Sequence, residues 1–460
     1  MVFSNVLFLF VFLPAVIAAY FIVPSKFVFL RNLVLLGFSL IFYFLGGHQY
    51  ITLILASILM NFLFGLVLEN RKNKLLVGLF VGANLLAIGV FKYMGLILST
   101  MKAFGINVPD VSVELPIGIS FFTFQAISYL VDVYRSDAAA QKNPFNFGLY
   151  ISMFPQLIAG PIVRYQEVAK EMKERKIRIE DFGKGVERLV FGFAKKILIA
   201  NQMGLVADQV FNRASPVSAS LAWLGAIAYG FQIYFDFSGY SDMAIGLGKI
   251  FGYNFPENFN HPYTCSSITD FWRKWHMTLS TWFRDYVYIP LGGSRTGKAR
   301  HAFNLMAVWL LTGLWHGANW TFAVWGAYFG ALLIGEKFVI RPERLGKVSG
   351  MAYRILCLAL IAVGWVIFRS PSLHSTASYL RSMFGANGFQ SNEAYYIFAE
   401  YKIEWIAAVL ASTPIWKHCE NALNGIMGRF FKTALMSAAF ALSVIFLLSG
   451  SFNPFIYYQF

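Results

Sequence analysis

Charged residues are scarce in this chain. Asp, Glu, Lys and Arg make up 13% of its 460 residues, whereas apolar residues make up 57%. A soluble globular chain carries about 25% charged residues. The composition therefore excludes a soluble globular protein and predicts an integral membrane protein. The longest polar stretch, residues 164–187, is too short to hold a hydrophobic core, so we expect no folded domain on either side of the membrane.

Cysteine and the common catalytic motifs are also lacking. Cys265, Cys357 and Cys419 are the only cysteines, and they lie far apart in the sequence. Their spacing excludes a disulfide framework and a zinc-finger type of site, because both need cysteines at short, regular intervals. The chain has no GxSxG, HEXXH, Walker A or Rossmann pattern. We therefore expect no metal site and no bound cofactor.

The formal charge of +15 indicates which loops face the cytoplasm. Basic residues cluster in short loops between apolar runs, including residues 71–74, 170–184, 295–300 and 337–347. This distribution is typical of the positive-inside pattern of membrane proteins. It differs from the continuous basic surface of a soluble nucleic-acid-binding fold. We assign these loops mostly to the cytoplasmic side and expect no nucleic-acid partner.

Apolar runs that approach the roughly 20 residues needed to span a bilayer recur along the chain. They predict an all-α, polytopic transmembrane bundle with about 10–12 crossings, formed as a single domain over residues 1–460. Residues 3–24 have no basic n-region and are predicted as an uncleaved first transmembrane helix. Gly and Pro interrupt residues 147–162 and 240–262, which predicts re-entrant or interfacial segments. Such backbone is stable at membrane depth only inside protein or along a wet cavity, so we expect a central funnel.

Polar residues are concentrated in residues 235–325, the predicted functional core. An ionisable side chain within a membrane segment is costly and marks a functional site by default. A buried charge also needs a partner. The charged residues that fall under this argument are Asp236, Asp242, Asp270, Arg273, Arg284 and Asp285. Asp236 and Arg273 are candidates for substrate binding.

His316 is the first candidate catalytic residue, in the sequence GLWHGANW of residues 313–320. Imidazole exchanges protons near neutral pH, and the small residues Gly313 and Gly317 allow a backbone or a thin substrate to approach closely. Trp315 is expected to wall the site, and Asn319 to offer an amide one helical turn away. A histidine that hydrogen-bonds between helices would explain the same pattern equally well.

His276 is the second candidate, in the sequence FWRKWHMTLS of residues 271–280. Aromatic residues recur at helical intervals across residues 270–288, which predicts a helix at the interface or dipping into the membrane. On such a helix Asp270, Arg273 and His276 would form a cluster on one face. An aromatic interfacial helix without a chemical role is the competing interpretation, and the spacing favours it.

Five sequence strings resemble the membrane-bound O-acyltransferase family, and within it the bacterial polysaccharide O-acetylase branch typified by alginate O-acetylase. The strings are LPIGISF at 115–121, IAGP at 158–161, YFDFSGYSDMA at 234–244, residues 271–286 and GLWHGANW at 313–320. Residues 2–4, 364–369 and 453–460 are similar to the same branch. The likeness extends over nearly the whole chain.

The resemblance implies a catalytic role for His316, with His276 as the second signature position. It implies transfer of an acetyl group from a cytoplasmic thioester, with acetyl-CoA as donor, through a funnel that meets the histidine. His316 would deprotonate or otherwise activate a hydroxyl, and donors such as Asn319 would offset oxyanion charge. A polymer-modifying member passes the acetyl group to a separate periplasmic SGNH-type transferase, which modifies an exported polysaccharide. The implied location is the bacterial inner membrane.

Three alternatives remain open at this point. The polysaccharide is alginate as a first expectation, with peptidoglycan or cellulose close behind, and teichoic-acid D-alanylation is a related reaction. A glycan or lipid transporter without acyl-transfer chemistry would also contain broken helices and polar residues at the midplane. A catalytically silent scaffold that docks a partner is the third alternative.

Overall fold

The computed structural model describes residues 3–109, 114–213, 215–415, 425–450 and 455–456. Throughout this part of the chain the regular structure consists of α-helices and short π- and 3-10 helices, and no strand occurs. The predicted all-α class is therefore confirmed. Cys419 and most of the sequence string at 453–460 lie outside the described residues.

The chain divides into two compact units. The first unit comprises Met1–Leu189 and Tyr240–Glu257, and the second comprises Val190–Gly239 and Asn258–Phe460. Helices α1 to α10 are Leu13–Ile22, Val28–Gly47, Ile51–Asn70, Lys74–Ile88, Met94–Ala103, Ile119–Arg135, Pro144–Ser152, Phe154–Leu157, Tyr165–Val168 and Ile179–Ala194. Helices α11 to α21 are Asn201–Phe211, Ala219–Ile250, Ile268–Lys274, Met277–Phe283, Lys298–His316, Trp320–Gly335, Lys347–Arg369, Leu373–Met383, Asn392–Glu400, Lys402–Ala411 and Ile426–Leu448.

Within the described ranges, six helical stretches are long and apolar enough to cross a membrane. One of them, Val28–Asn70, contains both α2 and α3. The shorter apolar stretch Phe8–Ile22 coincides with the predicted first transmembrane helix. The chain is thus a polytopic membrane protein, as the apolar runs indicated. The number of crossings and the central funnel stay predictions.

The first unit is held together by aromatic packing. The ring of Phe42 lies 5.7 Å from that of Phe12 and 5.6 Å from that of Phe154, and all three are buried. Offset and edge-on ring pairs at such distances add to the stabilisation from apolar burial. This cluster contributes to the core of the first unit.

The two apolar runs that Gly and Pro interrupt, residues 147–162 and 240–262, differ in structure. In residues 147–162 the helix breaks after Ser152 and again after Leu157, and every residue of the run is buried, so irregular backbone lies inside the protein as predicted. The second prediction was wrong over residues 240–250, because α12 continues without a break to Ile250. Its glycines serve helix packing instead: a Cβ on Gly246 would lie 2.6 Å from the Gly185 carbonyl oxygen of α10.

In the second unit, α15 and α16 pack closely through glycines. A Cβ on Gly313 would lie 2.2 Å from the Phe322 carbonyl oxygen, and one on Gly326 would lie 2.3 Å from the Trp309 carbonyl oxygen. Only glycine permits backbones to approach this closely. This contact places the end of α15, where His316 lies, against α16.

A buried carboxylate anchors the start of α13. Glu336 accepts hydrogen bonds from the backbone N–H groups of Ile268 at 2.6 Å and Thr269 at 2.8 Å, and from the Tyr353 hydroxyl at 2.7 Å. A carboxylate at a helix N-terminus satisfies N–H groups that lack a partner within the helix. The short helix that leads to His276 is thereby fixed in the second unit.

Candidate functional site

His316 is the last residue of α15. The helix ends there because Gly317 is extended, with φ −169° and ψ 157°, and the next helix begins after Asn319. The imidazole therefore lies at a junction between two helices rather than on the face of a continuous one. At this junction, residues of both α15 and α16 can contact the imidazole.

Aromatic rings surround the His316 imidazole, which is only 4% exposed. Its centroid lies 5.1 Å from the ring of Trp325 and 5.2 Å from that of Phe368, both nearly perpendicular to it. The ring of Trp315 lies 5.0 Å away. Aromatic side chains of α15, α16 and α17 therefore enclose the imidazole.

The glycines beside His316 bring protein groups close to one another. The backbone of α16 approaches Gly313, and the Phe322 ring approaches Gly317, where a Cβ would lie 2.1 Å from it. The close approach predicted from these two glycines is therefore confirmed for backbone and for a side chain. In this structure the space that they leave is filled by α16 itself.

His276 lies at a break in the chain. Helix α13 ends at Lys274 and α14 begins at Met277, while His276 adopts a left-handed conformation with φ 43° and ψ 54°. The prediction of one continuous helix over residues 270–288 was wrong. The aromatic spacing is compatible with two short helices, and periodicity does not report a single residue that leaves the helical region.

The predicted cluster of Asp270, Arg273 and His276 does not form. Asp270 accepts hydrogen bonds from the Lys274 ammonium and the Ser266 backbone N–H, both at 2.9 Å, and Arg273 is exposed on α13. Burial raises the pKa of Asp270, but these two donors outweigh it and hold the pKa below its usual value. The break at His276 removes the imidazole from the face that Asp270 occupies. Substrate binding by Arg273 stays a prediction.

His276 is 2% exposed, and among the described residues it contacts Asn258, Phe237 and Trp315. Its Nδ1 atom lies 3.0 Å from Oδ1 of Asn258. The ring of Phe237 stands perpendicular to the imidazole at 4.6 Å, and the ring of Trp315 lies at 5.9 Å. His276 is thus fixed within the core of the second unit, contrary to a surface position on an interfacial helix.

Trp315 contacts both candidate histidines. Its indole contacts the His316 ring at 5.0 Å and the His276 ring at 5.9 Å. The two histidines lie 40 positions apart in the sequence, so only the fold places them together. This shared contact supports the prediction that both belong to one functional site, with Trp315 as its wall.

Asp236 has structural partners. It forms an ion pair with Lys196, in which both side chains are buried, and its Oδ2 atom accepts the Ile456 backbone N–H at 2.7 Å. The expectation that a buried charge has a partner is confirmed here. Its neighbour Phe237 contacts His276, so Asp236 lies one residue from the site. A direct role in substrate binding stays a prediction.

Asn319 caps α16. Its side-chain oxygen accepts the Thr321 backbone N–H at 3.1 Å, and its Nδ2 atom donates to the Pro371 carbonyl oxygen at 3.0 Å. Because α15 ends at His316, Asn319 is not one turn further along the same helix as the spacing suggested. The capping contacts give it a structural task, and the oxyanion role stays a prediction.

Sequence reasoning missed four groups that contact the histidines: Asn258, Phe237, Trp325 and Phe368. Asn258 belongs to the predicted polar core, but nothing in its spacing indicated a bond to His276. Phe237 and Phe368 contribute rings to the two histidines, and an ordinary phenylalanine in an apolar segment carries no signal of such a position. Among the residues that the structure describes, no group of three or more His, Cys, Asp and Glu side chains could hold a metal ion.

Comparison with known proteins identifies the class. Residues 40–368 match MBOAT, the membrane-bound O-acyltransferase family. A probable alginate O-acetylase of Pseudomonas putida is 38% identical over 100% of both chains. A peptidoglycan O-acetyltransferase of Helicobacter pylori is 32% identical over 100% of this chain and 98% of its own. A teichoic acid D-alanyltransferase of Bacillus subtilis is 30% identical over 56% of this chain and 69% of its own.

The family match covers α15 with its terminal His316, the break at His276 and the surrounding aromatic rings of α16 and α17. The predicted resemblance is therefore confirmed, and with it the O-acyltransferase class. The chain belongs to the membrane-bound O-acyltransferase family.

Proposed function

We propose that this chain transfers acetyl groups from a cytoplasmic thioester across the bacterial inner membrane for the O-acetylation of an exported polysaccharide. Alginate is the first candidate polymer, followed by peptidoglycan and cellulose. One observation carries the proposal: the two histidines of the matching motifs, His276 and His316, are both buried and both contact Trp315. The transporter alternative loses its basis, since the chain is an O-acyltransferase.

Acetyl-CoA is the proposed donor. Its nucleotide portion is highly charged and cannot enter a bilayer, but the acetyl group sits on a long, flexible thioester arm. The basic loops of the chain, such as residues 295–300, follow the positive-inside pattern and offer cationic side chains on the side where the coenzyme is found. The donor is thus a substrate that visits the site and not a resident cofactor.

The reaction needs a base for the attacking hydroxyl and a donor for the charge that develops on the carbonyl oxygen. The hydroxyl proton passes to an imidazole as the oxygen attacks the acetyl carbonyl. The C–S bond then breaks, and the leaving thiolate recovers the proton. Two buried imidazoles beside one indole supply an acid–base group and a second polar group. The aromatic rings of Trp325 and Phe368 exclude water that would hydrolyse the thioester.

A periplasmic SGNH-type acetyltransferase is the proposed partner. The chain has no polar stretch long enough to fold as a separate domain that could hold a polymer. The acetyl group therefore has to be handed to another protein before it reaches the polysaccharide. In this arrangement the exported polymer is an indirect partner, and the partner enzyme selects it.

The direct test measures acetyl transfer by the purified protein in nanodiscs. Radiolabelled acetyl-CoA is supplied with and without the periplasmic partner, and thioester turnover and protein labelling are followed. His316→Ala is compared with wild type and with His301→Ala. His301 is a matched control because it is also a buried histidine of α15, and it bonds to the Tyr288 hydroxyl at 2.9 Å away from Trp315.

Wild type and His301→Ala are expected to turn over the thioester, and His316→Ala to lose activity while it inserts and folds normally. Loss of a group that acts directly on the reacting atoms costs about 100-fold or more in rate. Retained transfer in His316→Ala would overturn the site assignment. No turnover by wild type, even with the partner present, would overturn acetyl-CoA as the donor.

A further inference from the structure

We propose that Asn258 is a positioning residue for the acyl-transfer reaction. It fixes His276 as the tautomer that carries its proton on Nδ1 and its lone pair on Nε2. The inference deepens the proposed function and rests on it for the reaction that His276 serves. It assigns His276 the role of proton acceptor in the site that it shares with His316.

The contacts of Thr278 identify which atom of Asn258 faces the imidazole. The Thr278 backbone N–H lies 3.3 Å from that atom, and the Thr278 hydroxyl lies 2.8 Å from it. A backbone N–H is always a donor. The atom that it meets must therefore be the amide oxygen Oδ1, and the orientation of the amide follows from the chemistry of its neighbour.

The same oxygen determines the proton position on His276. Oδ1 has no proton to give, so Nδ1, at 3.0 Å, has to be the donor. In a neutral imidazole only one nitrogen carries a proton. Nε2 therefore holds the lone pair. The hydrogen bond made by one ring nitrogen sets the chemistry of the other.

The backbone around His276 is built to keep this geometry. A left-handed conformation with φ 43° is costly for a residue that is not glycine, by about 1–3 kcal/mol. The Met277 backbone N–H donates to the Asn258 carbonyl oxygen, and the Asn260 N–H donates to the Lys274 carbonyl oxygen, both at 2.9 Å. Asn258 thus holds the break through its backbone and its side chain together. Strain of this kind persists where the surroundings over-determine it, as at functional sites.

The remaining neighbours leave the tautomer to Asn258 alone. Among described residues, the hydrogen-bond and ring contacts of the imidazole are with the Asn258 amide and the rings of Phe237 and Trp315, and none of these three groups ionises. The Nε2 atom of His276 is buried, and it has no hydrogen-bond partner among the residues that the structure describes. A buried polar atom without a partner is rare and calls for a functional reason.

The tautomer defines the step that His276 performs. When the substrate hydroxyl attacks the acetyl carbonyl, its proton passes to Nε2, and the electron pair of the O–H bond forms the new C–O bond. The imidazolium retains its Nδ1–H bond to Asn258. The C–S bond breaks, its electron pair leaves on sulfur, and the thiolate accepts the proton from Nε2. The proton on Nε2 goes to the leaving sulfur, so the charge that develops on the carbonyl oxygen needs a separate donor.

The experiment compares Asn258→Asp and Asn258→Ala with wild type over a range of pH in nanodiscs, with acetyl-CoA as substrate. The carboxylate of Asn258→Asp also accepts from Nδ1, and its charge favours the imidazolium. The acid limb of the kcat profile should therefore move to higher pH by about one unit, with activity recovered on its plateau. Asn258→Ala removes the acceptor and should lower kcat at least about tenfold, without that upward shift.

Matched controls separate positioning from stability. Asn84 is likewise buried, and it exchanges amide hydrogen bonds with Asn61 in the first unit. Asn84→Asp and Asn84→Ala should change the melting temperature but not the pH profile. A profile that is unshifted in Asn258→Asp, with equal losses in both Asn258 variants, would reduce Asn258 to a structural residue and overturn the proposal.

A second measurement does not depend on activity. Nitrogen NMR of histidine-labelled protein, with the His276 signals assigned by their loss in His276→Gln, reports which ring nitrogen carries the proton. The expected result is protonated Nδ1 in wild type and mixed tautomers in Asn258→Ala. Protonated Nε2 in wild type would overturn the inference even if the protein is an active acetyltransferase. The expected tautomer in a protein without turnover would instead contradict the proposed function.

Discussion

Lys196 and Asp236 form an ion pair in which both side chains are buried. The pair lies in the second unit, and Asp236 also receives the Ile456 backbone N–H at 2.7 Å. Charges this far from water remain stable only with a partner. Phe237 follows Asp236 and contacts His276, so the ion pair holds the backbone next to a residue that packs on this imidazole.

The first prediction concerns this ion pair. Asp236→Asn should lower the free energy of unfolding by about 3–5 kcal/mol, because it leaves the Lys196 charge buried and uncompensated. The double variant Lys196→Met with Asp236→Leu should recover most of that loss, since apolar residues of similar size replace a buried pair with little cost. Thermal unfolding in detergent measures both variants.

Activity of the double variant then decides the role of Asp236. Recovered stability together with recovered acetyl transfer would make Asp236 structural. Recovered stability without transfer would support the predicted contact with substrate. A single variant that is as stable as wild type would contradict the energetic importance of the pair.

The second prediction separates two roles of Asn319. Asn319→Asp keeps the oxygen that caps α16 but loses the Nδ2 donor, whereas Asn319→Ala loses both. A residue that only caps the helix would make Asn319→Ala about 1 kcal/mol less stable and leave kcat of both variants within a few-fold of wild type. An oxyanion donor would make both variants about 100-fold slower or more.

Steady-state kinetics and thermal unfolding of these two variants are sufficient for the test. Because Nδ2 already donates to the Pro371 carbonyl oxygen, we expect the capping outcome. A large loss of kcat in Asn319→Asp with an unchanged melting temperature would reverse that expectation.

The third prediction concerns the contact between α15 and α16. Gly313→Ala and Gly326→Ala should each lower the free energy of unfolding by about 1–3 kcal/mol. The new methyl groups would meet the carbonyl oxygens of Phe322 and Trp309, which belong to helix backbone and cannot move aside. Gly335→Ala, in α16 together with Gly326, is the control. Nothing lies within 4 Å of its added Cβ, so the higher helix propensity of alanine should stabilise the protein slightly. Equal melting temperatures for all three variants would contradict the close packing.

The fourth prediction concerns the carboxylate that anchors α13. Glu336→Gln replaces one acceptor oxygen with an NH₂ group facing N–H and O–H donors. A buried donor left without a partner costs about 1–3 kcal/mol, and the start of α13 should loosen. Hydrogen exchange at the amides of Ile268 and Thr269 should accelerate. Glu343→Gln, on an exposed residue, should leave both readouts unchanged.

The sequence predicted the fold class from its composition and marked the two histidines as candidates, and the family resemblance implied their catalytic role. Long apolar runs have to form helices in a bilayer, since no water is present to satisfy backbone groups, and composition alone reveals such runs. An imidazole in an apolar, membrane-depth segment stands out because an ionisable side chain is costly there. His316 was therefore recognisable from the sequence alone as a candidate, and so were its neighbours Trp315 and Gly313, whereas the helix end at His316 was not.

Other relationships depend on contacts between residues distant in the chain. Spacing suggested that His276 pairs with Asp270, but a single left-handed residue turns the imidazole towards Asn258 instead. Glycine and proline also suggested an interrupted segment over residues 240–262, but glycines of α12 fit against backbone oxygens of α10, and the helix continues to Ile250. Local patterns report propensity, and tertiary packing overrides propensity when it satisfies buried groups better.

By itself, the sequence determined that this protein is a helical membrane protein, and its resemblance to the acyltransferase family made His316 and His276 the candidate catalytic residues. Only the tertiary structure decided that both imidazoles meet at Trp315, that Asp236 is held by Lys196, and that Asn258 faces Nδ1 of His276. The reason is physical. Apolarity and residue type are properties of short segments, whereas a hydrogen bond or an ion pair requires two side chains at one place, which only the folded chain provides.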